Sequence, residues 1–187
     1  MTDLSRATYL RPCTPADDAF LHDVFCTTWE SEVAALPNQN LARHVLRIQH
    51  IAQERRFGLR YPGHQRFVVM EDGERAGRLY VHQRDGVLHV IDLTLLPEFR
   101  SHGIGTRILR DVCAVASNDG LTISLGVDRA NTRAAQLYTE LGFRLTAVDD
   151  LENHFEWTAT APNEYDELDQ YDEADSARLP FSNADYR

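Results

Sequence analysis

The sequence predicts a mixed α/β fold of the α+β type, a twisted and mainly antiparallel sheet with helices on both faces. Three observations carry this. Short runs rich in branched apolar residues alternate with segments whose apolar residues recur at helical spacing. Two Asp-Gly pairs, Asp72-Gly73 and Asp85-Gly86, each sit between two strand-like runs, as hairpin turns do. The third is Val87 to Leu96, an almost wholly apolar run that suits a strand covered on both faces and ends at Pro97.

The elements follow in order. Thr8 to Arg11 reads as a first strand, ended by Pro12 and Pro15. Thr14 or Pro15 opens a helix with Asp17 and Asp18 in its first turn, where negative charge is favoured. Phe20, Val24 and Phe25 give that helix an apolar face, and the pattern extends to Ala35 before Pro37-Asn38 breaks it. Asn40 is placed to cap a second helix, in which Leu41, Val45, Ile48 and Ala52 share a face. Gly58 and Pro62-Gly63 close it. Gln65 to Met70, Arg78 to Gln83 and the Val87 run then read as three consecutive strands. Ile104, Ile108, Leu109, Val112 and Val115 mark a helix. Leu121 to Val127 is a strand, Asn131 opens another helix, and Phe143 to Val148 and Asn153 to Thr158 read as a final antiparallel pair.

Composition narrows the function. The 187 residues suffice for one domain with a substantial core. The formal net charge is −10, and every one of the 19 basic residues is Arg. Without Lys, no lysine base or nucleophile is available. Residues 162–187 hold eight acids against two Arg, a net of −6. An acidic chain without a basic stripe argues against nucleic acid as a partner. No run approaches a membrane span or a signal peptide, which argues against a membrane partner. Cys13, Cys26 and Cys113 lie far apart, as reduced thiols of a cytoplasmic protein do. The eight His show no metal-ligand spacing, so no metal is expected. The chain reads as a domain over 1–161 and an acidic tail over 162–187. The tail is either solvated or docked, on its own molecule or a neighbouring subunit, through apolar residues such as Tyr165, Leu168 and Phe181.

The stretch that carries chemistry is Arg100-Ser101-His102-Gly103-Ile104-Gly105, between the Val87 strand and the Ile104 helix. Backbone N–H groups bared by glycines at a helix N-terminus suit a phosphate. Arg100 adds a cation beside them. The spacing is neither that of a P-loop nor G-x-G-x-x-G. Arg-x-x-Gly-x-Gly after an apolar strand resembles the acyl-CoA pyrophosphate loop of the GNAT superfamily of N-acetyltransferases. Asn131 to Phe143, NTRAAQLYTELGF, is similar to that family's second signature, N-x-x-A-x-x-L-Y-x-x-x-G-F. The outline matches over about residues 7 to 160.

The resemblance implies acetyl transfer from acetyl-CoA to an amine acceptor, a small molecule or a protein, by direct attack. It implies that the Val87 strand splays from its neighbour at the acyl-CoA cleft, where backbone groups of Leu93 and Leu95 take the pantetheine arm. Backbone amides from Ser101 through His102, Gly103, Ile104 and Gly105 to Thr106 would hold the pyrophosphate. Ser101 stands where the family often has Gly, and its side chain would either crowd the phosphate or add a contact. Asn131 would cap its helix and bond near the pantetheine. Tyr138 would protonate the departing thiolate, since a phenol is protonated at neutral pH; its alternative is a packing role beside Ala134, Leu137 and Leu141. Asp92, the only acid between Val87 and Pro97, is either the general base or the partner of a nearby Arg. His89 and Glu30 are weaker base candidates. Trp29 and Glu30 are the expected acceptor contacts, with Glu32, Phe57 and Tyr61 as further candidates. Acids there would favour a cationic amine. A homodimer is compatible with all of this. The other readings are a catalytically silent acyl-CoA-binding protein, and an interaction module acting through its acidic tail.

Overall fold

A computed structural model describes residues 7–29, 33 and 38–159. The tail over 162–187, and Glu30 and Glu32, lie outside the described residues. Four helices and seven strands are described. They are β1 Thr8–Pro12, α1 Asp18–Cys26, α2 Gln39–Arg60, β2 Gln65–Glu71, β3 Glu74–Arg84, β4 Val87–Leu95, α3 Ile104–Asp119, β5 Thr122–Asp128, α4 Thr132–Glu140, β6 Arg144–Val148 and β7 Glu152–Trp157. The strands form a seven-stranded sheet in the order β1-β2-β3-β4-β5-β7-β6. The pairs β1–β2, β2–β3, β5–β7 and β6–β7 are antiparallel. This is the expected mixed α/β architecture.

The chain divides into two compact units, one of residues 1–82 with 90–105, the other of 83–89 with 106–187. In the first, Phe20, Leu21 and Val24 of α1 pack on Val68, Met70 and Tyr80, with Phe57 and Ile91 at the margin. Both Asp-Gly turns form as read. Asp72 and Gly73 have φ of 51° and 84°, and Asp85 and Gly86 have 52° and 78°, the paired left-handed residues of tight hairpins. In the second unit, Ile108, Leu109, Val112 and Ala116 form the buried stripe of α3, and Ile123, Leu125 and Val127 alternate inward along β5.

Four expectations change. The first helix does not run to Ala35: a short 3-10 turn, Pro15–Asp17, leads into α1, which stops at Cys26. The cap of α2 is Asn38, not Asn40; its side chain accepts hydrogen bonds from the amides of Asn40 and Leu41. Gly58 does not end α2, which runs on to Arg60; one glycine costs a helix only about 1 kcal/mol. The Val87 strand is not covered on both faces along its length. Only Leu88 and Val90 are buried, and Ile91 to Leu95 are half-exposed.

The start of α1 is fixed by charge. The Asp17 carboxylate accepts from both terminal nitrogens of Arg11, at 3.0 and 2.7 Å, and from the amide and hydroxyl of Thr14, at 2.8 Å each. Arg11 foremost, with the Thr14 bonds against the cost of burial, holds the Asp17 carboxyl far below the ordinary range. Its contribution is therefore full above about pH 4 and declines as pH falls toward the depressed value. Urea unfolding of Asp17→Asn at pH 7 should show a loss of about 1–3 kcal/mol. The gap from the parent should narrow steadily below about pH 4; a gap that widens on acidification contradicts this.

Candidate active site

β4 and the loop after it supply the first half of the candidate site. After Pro97 a single 3-10 turn closes, with the Phe99 amide donating to the Leu96 carbonyl at 3.0 Å. The backbone then alternates in hand. Arg100 has φ −74°, Ser101 +67° and Gly103 +77°, and Ile104 begins the 16-residue helix α3. Left-handed residues on either side of His102, just before a helix, leave N–H groups that an anion can use, and the helix dipole acts in the same sense. At Gly105 a Cβ would meet no atom within 4 Å, so the space beside the first turn of α3 is open. These residues fit a pyrophosphate, and Gly103 in its left-handed conformation explains the need for glycine there.

Arg100 is engaged on the protein itself. Its Nε donates to the Leu95 carbonyl at 2.8 Å and its Nη2 to the Thr27 hydroxyl at 3.0 Å, just after α1. The side chain thus ties the loop to the end of β4 and to Thr27. Thr27 precedes Trp29, which is exposed, with its ring 6.3 Å from that of Phe25. Phe57 and Tyr61 pack on Tyr80 and His82, with ring centroids 6.2 and 5.7 Å apart.

Asp92 is bound on both oxygens. Arg78 Nη2 donates to Oδ2 at 2.6 Å, and the Thr94 hydroxyl donates to Oδ1 at 2.6 Å. Arg78 is 1% exposed, and the same Nη2 also reaches Gln53 Oε1 at 3.0 Å. Burial works against the Arg78 cation, but Asp92 first, then Tyr80 and Glu54, more than offset it, and its pKa is raised. The ion-pair reading of Asp92 is therefore realised in the geometry.

Two residues of this region went unnoticed in the sequence. One is Arg78, whose signal was a lone cation opening an apolar strand. The other is Gly77. A Cβ there would lie 2.2 Å from the Thr94 carbonyl oxygen and 2.9 Å from Leu95 Cα, so β4 approaches β3 as only glycine permits. A glycine inside a strand pattern was the available signal.

The second unit carries the other signature. Asn131 caps α4, its side-chain oxygen accepting from the Ala134 amide at 3.1 Å. Tyr138 is half-buried, its ring 5.7 Å from both Phe143 and Phe155. The Tyr138 carbonyl accepts from the Phe143 amide at 3.0 Å, which closes the helix C-terminus through Gly142 at φ 87°. Thr106 lies in the first turn of α3. His89 is bonded through Nδ1 to the Ser124 hydroxyl. Among the described residues no group of three His, Cys, Asp or Glu could hold a metal ion, and no helix is long and apolar enough to cross a membrane.

Comparison with known proteins decides what this loop and helix belong to. Residues 21–143 match the model of the acetyltransferase (GNAT) family. The chain belongs to the GNAT acetyltransferase family. It is accordingly an acyltransferase of the acetyl-CoA-dependent N-acetyltransferase class, with acetyl-CoA as co-substrate. No curated protein matches. Solved GNAT structures share the fold. The PaiA N-acetyltransferase of Thermoplasma acidophilum, solved with coenzyme A, is 17% identical, with a TM-score of 0.62 over 82% of this chain and 99% of that one. An aminoglycoside acetyltransferase, AAC(6')-Ib, solved with coenzyme A and kanamycin, is 20% identical, with a TM-score of 0.56 over 81% of this chain and 95% of that one. The spermidine N-acetyltransferase of Vibrio cholerae, a dodecamer, is 17% identical, with a TM-score of 0.55 over 81% and 93%.

Two stability outcomes follow for this GNAT enzyme. Gly77→Ala should cost about 1–3 kcal/mol or more, because backbone must move. Asp92→Ala should cost about 3–5 kcal/mol by stranding the buried Arg78 charge. The double variant Arg78→Met/Asp92→Leu should recover much of that loss in urea unfolding. A double variant as unstable as Asp92→Ala would mean that the pair is not the source of the cost.

Proposed function

We propose that the enzyme transfers the acetyl group of acetyl-CoA directly to a primary amine, without an acyl-enzyme. The observation that carries this is the alternating-hand loop at the start of α3, within the stretch matched to the family. Acetyl-CoA supplies an activated thioester. Amides from Ser101 to Thr106 bind its pyrophosphate, the Arg100 charge supports them, and backbone groups of the half-exposed residues Leu93 and Leu95 orient the pantetheine arm. Asn131 supports the pantetheine while capping α4. Tyr138 donates the proton that the departing thiolate takes up.

Both Asp92 oxygens already accept hydrogen bonds, which favours water as the group that takes the amine proton, with Asp92 holding Arg78 in place. Direct attack is supported by the thiols. Burial pushes Cys13 and Cys113 up to about 11, and burial raises Cys26 as well. None of them is a thiolate nucleophile at neutral pH. Trp29 and the adjoining Glu30 are the proposed acceptor contacts, and a cationic amine fits an acid there. Half-buried, unpaired cysteines suit a reducing cytoplasm.

Calorimetry with acetyl-CoA should show binding that Gly103→Glu abolishes. With an accepted amine, Tyr138→Phe should lower kcat by about 10²-fold or more while the Kd for acetyl-CoA holds. Full-rate transfer by Tyr138→Phe would remove Tyr138 from the acid role, and no binding by the parent protein would remove the site. At pH 7, iodoacetamide should leave activity intact; rapid inactivation would contradict direct attack.

A further inference from the structure

Helix α2 has two faces, and among the described residues only one is buried. Ala42 and Leu46 are buried, and Gln53 and Phe57 are half-buried. On the opposite side, Leu41, Val45, Ile48, Ala52, Arg55 and Leu59 follow one another at steps of four and three residues, the spacing of a helix-docking seam. Four of these residues, Leu41, Val45, Ile48 and Ala52, are the face read from the sequence, and it points outward. Ile48 is 65% exposed and Leu59 82%. This open face carries Ile48, Ile51, Ala52 and Leu59 together with Arg55, Arg56 and Arg60.

The charge of the helix says what suits it. α2 holds Arg43, Arg47, Arg55, Arg56 and Arg60 against the single acid Glu54, in a chain of net charge −10. A second copy of α2 would bring like charge against like, which disfavours self-pairing. An apolar seam among guanidinium groups fits a segment in which acids alternate with apolar side chains. The chain carries such a segment outside the described residues. Tyr165, Leu168, Tyr171 and Leu179 are interleaved there with Glu164, Asp166, Glu167, Asp169, Asp172, Glu173 and Asp175.

We propose that the outward face of α2 is the docking surface for residues 162–187, supplied by the same molecule or by another copy. Apolar side chains of that segment cover Ile48 and Leu59, and its carboxylates pair with Arg55, Arg56 and Arg60.

The absence of lysine makes the test direct. In the full-length chain, Arg56→Lys places the only ε-amine of the protein on this face, and carbodiimide then couples it to whatever carboxylate touches it. Mass spectrometry should find Lys-to-acid links into 162–187. Their yield should fall several-fold between about 0.05 and about 0.5 M salt. It should fall as much when Ile48→Asp and Leu59→Asp are added, two exposed positions whose substitution should leave thermal unfolding unchanged. A matched Arg110→Lys control, on an exposed site of α3, should give far fewer such links. Mixing isotopically light and heavy protein tells whether the segment comes from the same molecule; either source supports the proposal. It is overturned if links reach only acids within 7–159. It is overturned also if tail links form equally from the Arg110→Lys control or survive the two Asp substitutions. Links to Glu54 of another copy would assign the face to self-association instead and equally overturn it.

Discussion

The interaction on which much of the first unit depends is the buried pair of Arg78 and Asp92. A guanidinium that is 1% exposed on a sheet strand is tolerable only if its charge is answered at close range. Asp92 answers it at 2.6 Å and Gln53 takes a further hydrogen bond at 3.0 Å. The pair joins β3 to β4, and Gln53 extends the connection to α2. At Thr94 and Leu95, the end of β4, Gly77 brings the backbones of β3 and β4 into a contact that no side chain would allow. Fixed on this side, β4 delivers the loop at Arg100 in a set position, and Arg100 reinforces it by reaching back to Leu95 and across to Thr27.

Direct acetyl transfer asks little of side-chain chemistry and much of placement. That is consistent with a site built largely from backbone. The loop offers amides, β4 offers a half-exposed strand, and the two side chains with the strongest claim to polar roles in unit one, Asp92 and Arg100, are both held by other protein groups. Features of this kind can be supplied by many sequences, and the solved structures compared above share the fold at identities of 17–20%.

The legible parts of the sequence were those governed by local rules. Turn glycines, the Asp-Gly hairpins, the strand before Pro97 and the apolar stripe of α3 all follow from short-range spacing, and the loop at Arg100 and the helix at Asn131 were located from them. What was not legible depended on partners far along the chain. That Asp92 has an ion-pair partner could be known only by knowing that Arg78 stood opposite. Leu41, Val45, Ile48 and Ala52 share a face, but periodicity identifies a face without saying whether it is covered. Here Ala42, Leu46 and Phe57 provide the covered side. Gly58 misled for a related reason, since a helix anchored by packing tolerates a residue that an isolated helix would not.

Ser101 in a left-handed conformation has one more implication. A side chain there carries strain of about 1–3 kcal/mol that glycine would escape. The isolated peptide would avoid this conformation at position 101, so the turn is held by what flanks it, the 3-10 turn at Pro97 behind and helix α3 ahead. Folding of the surrounding chain, rather than local preference, sets the shape of this loop.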